Sequence, residues 1–188
     1  QKGIIIQLTS CLPFIDKNIS QKCLEKSKNY YDSIIARESL KNIILGFTWD
    51  SNRLVDDEGN IFIDKDFNVR KKSIDYLIKN FKDKGRTVFL IGPILTPEKE
   101  FSPEILSREI IFKERKEKQF YKYQNLFDKK YEKVLEYYRK KLGNKFLLPH
   151  EILCKQNKCF FANDEGSFFS DTNHLSKYGS LKMKKIFK

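Results

Sequence analysis

The sequence lacks the hydrophobic runs that carry a chain into or across a membrane. None of its apolar stretches approaches the roughly 18 residues that a spanning helix needs, and no charged segment followed by a hydrophobic core marks a secretion signal. Histidine is also scarce, with two residues in 188, so imidazole chemistry is confined to two positions. An apolar content of 40%, with 16 Phe and 9 Tyr, argues against disorder and predicts one ordinary domain over residues 1–188.

Arginine and alanine are scarce too, and this bears on the net charge of +12. Such a charge fits a nucleic-acid partner, but only seven of the 37 basic residues are Arg, while Ile, Lys, Asn, Phe and Tyr abound. This is the residue bias expected from an AT-rich genome. Basic residues are also interleaved with Glu along predicted helices, as in residues 113–118, which is typical of a solvated helix face. We therefore expect no nucleic-acid partner, and keep a module that binds an anionic polymer as an alternative.

The four cysteines fall into two local pairs, Cys11 with Cys23 and Cys154 with Cys159. Four cysteines allow three pairings, and the sequence alone does not choose between them. The local pairing is the natural expectation, and two such disulfides imply an oxidising compartment. Four buried free thiols are the alternative. We expect no metal, because no common zinc-ligand spacing is matched by the candidate set Cys154, Cys159, His150 and His174.

Strand-like and helix-like segments alternate along the chain. Apolar runs without period-two alternation predict strands at 3–8, 42–49, 87–92 and 146–148. Amphipathic stretches predict helices over 20–37, 68–82, 117–142 and 176 to the end, and a hairpin is expected where 159–162 and 167–169 flank a turn. Buried strands separated by helices indicate a parallel sheet. The predicted fold class is therefore α/β: a three-layer α/β/α sandwich with a parallel, flavodoxin-like sheet.

The strongest chemical signal is a carboxylate and an imidazole near the end of the chain. Asp171 lies three positions before His174, and Ser176 can cap the helix that follows. This spacing lets the carboxylate fix the imidazole tautomer and stabilise the protonated ring, which is the base half of a Ser-His-Asp site. An exposed loop Asp beside a His that caps or fills a gap also satisfies the pattern. Sites of parallel sheets form at the carboxyl ends of strands, where we place this pair.

The pair belongs to a longer tail pattern, whose positions are Cys154, Cys159, Phe168, Phe169, Asp171, His174, Leu175, Ser176 and Gly179. This pattern resembles the SGNH (GDSL-like) hydrolase domain fused to membrane acyltransferases of the acyltransferase-three family, which O-acetylate surface polysaccharides. In that family the tail reads roughly Cys…Cys…Asp-x-x-His-Leu-Ser-x-x-Gly and supplies the catalytic Asp and His. Residues 10–13, 42–49 and 88–93 resemble other segments of the family. The resemblance implies an SGNH-like fold and catalytic roles for Asp171 and His174.

Two departures from the family pattern matter. The family opens with a strand that ends in Gly-Asp-Ser, whose serine is the nucleophile, and no such triplet occurs here. We interpret the chain as a domain that lacks its first strand and helix, with the serine upstream of Gln1. Ordinary SGNH enzymes carry a Gly-x-Asn-Asp block, whose Asn serves the oxyanion hole, and here the matching strand end reads Gly46-Phe47-Thr48-Trp49-Asp50. Oxyanion donors must then come from backbone N–H groups or from elsewhere.

Two further residues at predicted strand ends are weaker candidates for substrate binding. Ser10 follows the first strand, but no glycine supplies the tight turn of a nucleophile, and the neighbouring Cys11 fits a structural role. Trp49 is the lone Trp and ends the second strand. It either fills the core or lines a sugar or acyl pocket.

The resemblance implies an O-acyltransferase or esterase that needs no cofactor. Its expected partners are a fused or adjacent membrane acyltransferase domain, an acyl donor and a polysaccharide acceptor. The expected location is the periplasmic or extracytoplasmic face, with a tether to the inner membrane through a part absent from this chain. A non-catalytic glycan-binding module of the same fold is the alternative, since the missing serine motif fits that function as well.

Overall fold

The computed structural model describes residue 8 and residues 11–49, 52–94, 120–122, 129–155, 158–163, 165–171 and 174–187. The chain groups into two compact units. The first unit comprises residues 1–91 and 134–146, and the second comprises residues 92–133 and 147–188. Within the described ranges, no helix is both long enough and apolar enough to span a bilayer. The expectation of a single domain over residues 1–188 stays a prediction.

The described elements include helices and strands at the main positions that the sequence predicted, together with short strands that it did not. The first described elements are α1 (Gln21–Ile35), β1 (Asn42–Leu45), β2 (Leu54–Val55), β3 (Ile61–Phe62), α2 (Asn68–Asp83) and β4 (Thr87–Ile91). The next are β5 (Phe120–Lys122), α3 (Lys129–Leu142), a 3₁₀ turn (Gly143–Lys145), β6 (Phe146–Leu147), α4 (Pro149–Leu153), β7 (Cys154–Lys155) and β8 (Lys158–Phe160). The last are β9 (Ala162–Asn163), β10 (Gly166–Ser167), α5 (Lys177–Met183) and a 3₁₀ turn (Lys184–Phe187).

A three-stranded parallel sheet has β4 as its central strand. Its strand order is β1-β4-β6, and β1 pairs in parallel with β4 from Asn42 opposite Thr87 to Leu45 opposite Leu90. Parallel neighbours require a crossover connection, and α2 supplies it between these two strands. The predicted α/β class, with a parallel sheet flanked by helices, is confirmed.

Helix α2 shows how the sequence pattern produces this packing. Its buried residues Ile74, Leu77, Ile78 and Phe81 recur at helical spacing, so they form one apolar face against β4. Gly85 follows the helix with a φ of +72°, and its N–H donates to the Lys82 carbonyl at 2.8 Å. This is the left-handed stop that glycine favours.

Short antiparallel strands organise the second unit. Strand β8 pairs with β5 on one side and β7 on the other, and β9 forms the predicted hairpin with β10. Phe residues of this hairpin region belong to an apolar cluster that consists of Leu153, Cys159, Phe161, Phe168, Phe169 and Met183. Helix α5 contributes Met183 to this cluster, so the helix and the hairpin share one core.

One predicted helix is partly a strand, and one predicted strand lies mostly outside the described residues. The helix predicted over 117–142 is wrong at Phe120–Lys122, which forms β5 and pairs with β8. In the described residues, helix α3 spans Lys129–Leu142. At residues 120–122 the ladder with β8 outweighs the local helix propensity of the charged stretch. The strand predicted at 3–8 lies outside the described residues except for Leu8.

Both predicted disulfides are present. Cys11 pairs with Cys23 across a separation of 12 residues, and Cys154 pairs with Cys159 across a separation of five. Cys159 is fully buried, so its bridge ties β7 to β8 inside the apolar cluster. The described cysteines include no free thiol.

We expect peptide mapping without reductant to recover these two linked pairs and no crossed pair. On loop entropy, the 12-residue bridge should contribute about 3 kcal/mol and the five-residue bridge about 2 kcal/mol to the free energy of unfolding. Urea unfolding with and without reductant measures the combined effect. An unchanged unfolding midpoint after complete reduction would contradict this prediction.

Candidate active site

Asp171 and His174 lie side by side in the loop before α5. Oδ2 of Asp171 lies 2.8 Å from His174 Nδ1, and Oδ1 lies 3.1 Å from the same nitrogen. Oδ1 also accepts the backbone N–H of His174 at 2.7 Å. One carboxylate therefore holds both the ring and the backbone of the histidine. The hydrogen-bond reach predicted for this pair is confirmed.

This contact determines which ring nitrogen is available for proton transfer. Because Nδ1 faces a carboxylate, the hydrogen-bond pattern assigns the N–H of the neutral ring to Nδ1 and the lone pair to Nε2. The His174 and Asp171 side chains are 78% and 54% exposed, so the imidazole is open to a reacting group. An imidazole oriented in this way can take a proton from a hydroxyl and later return it.

The loop that carries the pair is closed by its own hydrogen bonds. Ser170 donates from its backbone N–H and its hydroxyl to the His174 carbonyl, at 2.8 Å and 3.2 Å. An antiparallel bridge joins Phe169 to Leu175 just outside these contacts. The chain therefore reverses between residues 169 and 175, and this reversal brings the side chain of Asp171 beside that of His174.

Ser176 anchors the far end of this loop to the hairpin. Its hydroxyl accepts the Gly179 N–H at 2.9 Å, as an N-cap of α5, and donates to the Ser167 carbonyl at 2.6 Å. Its backbone N–H donates to the Phe168 carbonyl at 2.9 Å. The capping role predicted for Ser176 is confirmed, and the same residue also fastens the helix start to strand β10.

Gly179 permits this close approach of helix and strand. A Cβ built at this position would lie 1.9 Å from the Phe168 carbonyl oxygen and 2.8 Å from its carbonyl carbon. Gly179 is buried within α5. The tail pattern therefore requires glycine here because the Phe168 backbone leaves no room for a Cβ. Many other glycines are required because they adopt a positive φ.

The weaker candidates have different outcomes. Trp49 is 4% exposed, its ring packs against those of Phe47, Phe67 and Tyr138, and its Nε1–H donates to the Ile91 carbonyl at 3.1 Å. These contacts place Trp49 in the core, which is one of the two roles that the sequence left open. A role for Trp49 in substrate binding stays a prediction. Ser10 lies outside the described residues.

Cys154 and Cys159 cannot serve as zinc ligands here, because their sulfurs are joined in a disulfide. In the part of the chain that the structure describes, no group of three or more His, Cys, Asp or Glu residues is placed to hold a metal ion. The other histidine, His150, is 3% exposed in α4.

Sequence reasoning missed several residues that surround the pair. Ser170 contacts the His174 carbonyl, and Tyr178 on α5 contacts the hairpin through Asn163 and Glu165. The role of Asn163 could have been predicted, because Asn at the start of a tight turn often bonds the turn backbone. Its Oδ1 accepts the Glu165 and Gly166 N–H groups at 3.0 Å and 3.2 Å. The role of Tyr178 depends on how helix and hairpin pack, and no local pattern indicates it.

Comparison with known proteins identifies the family. A family model described as the SGNH domain fused to AT3 domains matches residues 1–188. Among solved structures, the chain is similar to the lipopolysaccharide acetyltransferase periplasmic domain of Salmonella ser. Paratyphi A, with a TM-score of 0.65 and 15% identity. This likeness covers 94% of the chain and 69% of the Salmonella chain, and at such identity it shows the fold alone. A comparison with curated proteins found no significant match. By the match over its whole length, the chain belongs to the family of SGNH domains that are fused to AT3 domains.

Proposed function

We propose that this SGNH domain transfers acyl groups to a carbohydrate hydroxyl, with His174 as general base and Asp171 as the residue that orients it. The observation that carries the proposal is the 2.8 Å contact between His174 Nδ1 and Asp171 Oδ2. It leaves Nε2 as the proton acceptor, in the geometry that serine acyl transfer needs. The His174 ring is also highly exposed, so a serine hydroxyl from another segment can reach it.

The proposed reaction has two half-reactions, and each of them moves one proton through His174. His174 Nε2 accepts the proton of a serine hydroxyl as the serine oxygen attacks the acyl carbonyl of a donor ester. The protonated ring then gives that proton to the departing alcohol, and Asp171 stabilises the imidazolium between the two steps. The acceptor hydroxyl next attacks the acyl-serine and loses its proton to Nε2. The ring then returns this proton to the departing serine oxygen, which regenerates the serine. No cofactor enters this scheme.

The serine in this proposal is supplied by a segment upstream of Gln1, because Gly-Asp-Ser is absent from the chain. The donor, acceptor and location are proposed from the family. The family description names fusion to AT3 domains, which supports a membrane acyltransferase partner and an acyl donor delivered by it. The Salmonella neighbour is a periplasmic domain of a lipopolysaccharide acetyltransferase, which supports acetyl as the acyl group, a surface polysaccharide as the acceptor and a periplasmic location.

The test compares residues 1–188 with the longer protein that includes the upstream segment, using a chromogenic acetyl ester. We expect residues 1–188 alone to be nearly inactive, the longer protein to be active, and His174→Ala to lower its rate by several orders of magnitude. Lys177→Ala is the matched control, because Lys177 is an exposed neighbour on α5.

Three results would reject the proposal. Strong esterase activity of residues 1–188 alone would place the nucleophile within the chain. A longer protein that is active and keeps its full rate after His174→Ala would exclude His174 as the base. A longer protein that binds the polysaccharide without any turnover would favour the non-catalytic glycan-binding function, which the absent serine motif supports.

A further inference from the structure

Tyr178 joins helix α5 to the β9–β10 hairpin at the base of the Asp171–His174 loop. Its hydroxyl donates to Glu165 Oε2 at 2.5 Å and accepts from Asn163 Nδ2 at 2.8 Å. Both partners belong to the hairpin, where Asn163 ends β9 and Glu165 lies in the turn. One phenol oxygen therefore fastens the second residue of the helix to the turn of the hairpin.

The ring of Tyr178 makes a second contact with the hairpin side of the loop. It stacks on Phe168 with a centroid distance of 5.4 Å and an interplanar angle of 4°. The Lys182 Nζ lies over the Tyr178 ring, 4.9 Å from its centroid, and donates to Glu165 Oε2 at 3.1 Å. Aromatic and cation–π contacts of this kind fix ring position as well as adding stability.

Charge reinforces the hydroxyl contact. The hydrogen bonds from Tyr178 and Lys182 hold the pKa of the Glu165 carboxyl below its usual range. The pKa of Lys182 is raised, by its hydrogen bonds to Tyr178 and to Glu165. A carboxyl with a lowered pKa keeps its interactions above its unfolded-state pKa and loses them as the pH falls through the folded-state value. The Glu165 contact therefore persists from neutral into mildly acidic solution.

Helix α5 and the β9–β10 hairpin also hold the two ends of the Asp171–His174 loop. The hairpin side ends in Ser167 and Phe168, whose carbonyls accept the Ser176 hydroxyl and N–H. The helix side begins at Ser176, two residues after His174. A shift of α5 against the hairpin must therefore change the span between residues 169 and 175, within which the Asp171–His174 contact is formed.

We propose that Tyr178 is a positioning residue for the Asp171–His174 pair: its hydroxyl and ring contacts set the span of the catalytic loop. This inference rests on the proposed function, because it assigns a purpose to the geometry of that pair. Tyr178 acts through Phe168, Ser176 and the loop, and it touches no reacting atom. A misplacement of 1 Å in an active site can cost about 10²-fold in rate, so a small shift of the loop has a measurable consequence.

The experiment measures the ring tautomer of His174 by long-range proton–nitrogen NMR on residues 1–188, at a pH where the ring is neutral. His174→Ala assigns the signals, since only two histidines are present. In the native chain we expect Nδ1–H to dominate, because Nδ1 donates to Asp171. Tyr178→Phe keeps the ring stack and removes the hydroxyl, and we expect it to lower the Nδ1–H to Nε2–H ratio at least threefold.

Matched variants separate positioning from general stability. Tyr76→Phe removes the hydroxyl of a tyrosine in the first unit that is 48% exposed, and it should leave the tautomer ratio at its native value. Glu165→Gln keeps an acceptor for Tyr178 without the charge, and it should lower the ratio less than Glu165→Ala does. Glu165→Ala removes the 2.5 Å partner from an exposed position and should lower the ratio as Tyr178→Phe does, which provides the test if Tyr178→Phe fails to fold.

The outcomes distinguish this inference from the proposed function. Asp171→Asn must change the tautomer ratio if the pair exists in solution, and an unchanged ratio there would overturn the proposed function. A changed ratio for Asp171→Asn with native ratios for both Tyr178→Phe and Glu165→Ala would overturn only the positioning role. In the longer protein, Tyr178→Phe should lower kcat about tenfold or more with KM unchanged, and a native kcat would likewise overturn it.

Discussion

Replacing Asp171 with Asn in the longer, nucleophile-bearing protein is expected to lower kcat by about 10⁴-fold while KM changes little. The substitution keeps the shape of the side chain, and an Asn oxygen can still accept the His174 backbone N–H that now lies 2.7 Å from Oδ1. The second atom at the ring changes from an acceptor to an amide donor. An NH₂ group 2.8 Å from Nδ1 favours the tautomer with its proton on Nε2, and that nitrogen can no longer take the serine proton.

Steady-state kinetics on an acetyl ester measure this effect. Asp57→Asn provides the matched control, because Asp57 is 70% exposed in a surface ion pair with Lys17 and loses the same charge. Its rate should stay native. If Asp171→Asn and Asp57→Asn have equal rates in correctly folded protein, Asp171 stabilises only the loop turn and the proposed mechanism is wrong.

The contact between Asp171 and His174 was predictable because the groups that make it are close in sequence. The carboxylate reaches a backbone N–H and a ring nitrogen of the residue three positions later, and Ser176 caps the helix within its first turn. Such contacts follow from spacing and residue type alone. The catalytic role adds a second requirement, a nucleophile at Nε2, which spacing does not supply.

The parallel sheet was predictable for a different reason. Strands β1 and β4 are short apolar runs separated by a helix with an apolar face. Few topologies other than a parallel pair with a helical crossover accommodate this combination. Strand β5 was missed because its pairing partner β8 lies far along the chain, and the local charge pattern favours a helix. The contacts of Tyr178 were missed for the same physical reason, since they depend on the packing of α5 against the hairpin.

The Gly179→Ala substitution is expected to destabilise the second unit, although alanine normally stabilises a helix relative to glycine by about 1 kcal/mol. The added Cβ would lie 1.9 Å from the Phe168 carbonyl oxygen, which no real contact tolerates. That carbonyl cannot easily move, because it accepts the Ser176 N–H at 2.9 Å, and the Phe168 N–H donates to the Phe161 carbonyl at 2.8 Å. The collision is between a Cβ, whose position the helix backbone fixes, and a backbone oxygen, so a change of rotamer cannot relieve it.

We therefore expect Gly179→Ala to lower the free energy of unfolding by about 3 kcal/mol, at the upper end of the cost of overpacking, as measured by urea denaturation. Ser180→Ala, at the exposed neighbouring position of the same helix, should be neutral or slightly stabilising. Gly46→Ala, whose Cβ would meet the flexible end of Ile91 at 3.3 Å, should be mild. A Gly179→Ala protein as stable as the Ser180→Ala protein would show that α5 does not approach the Phe168 backbone this closely. The close packing that holds Ser176 on the hairpin, and with it the span of the Asp171–His174 loop, would then lose its structural basis.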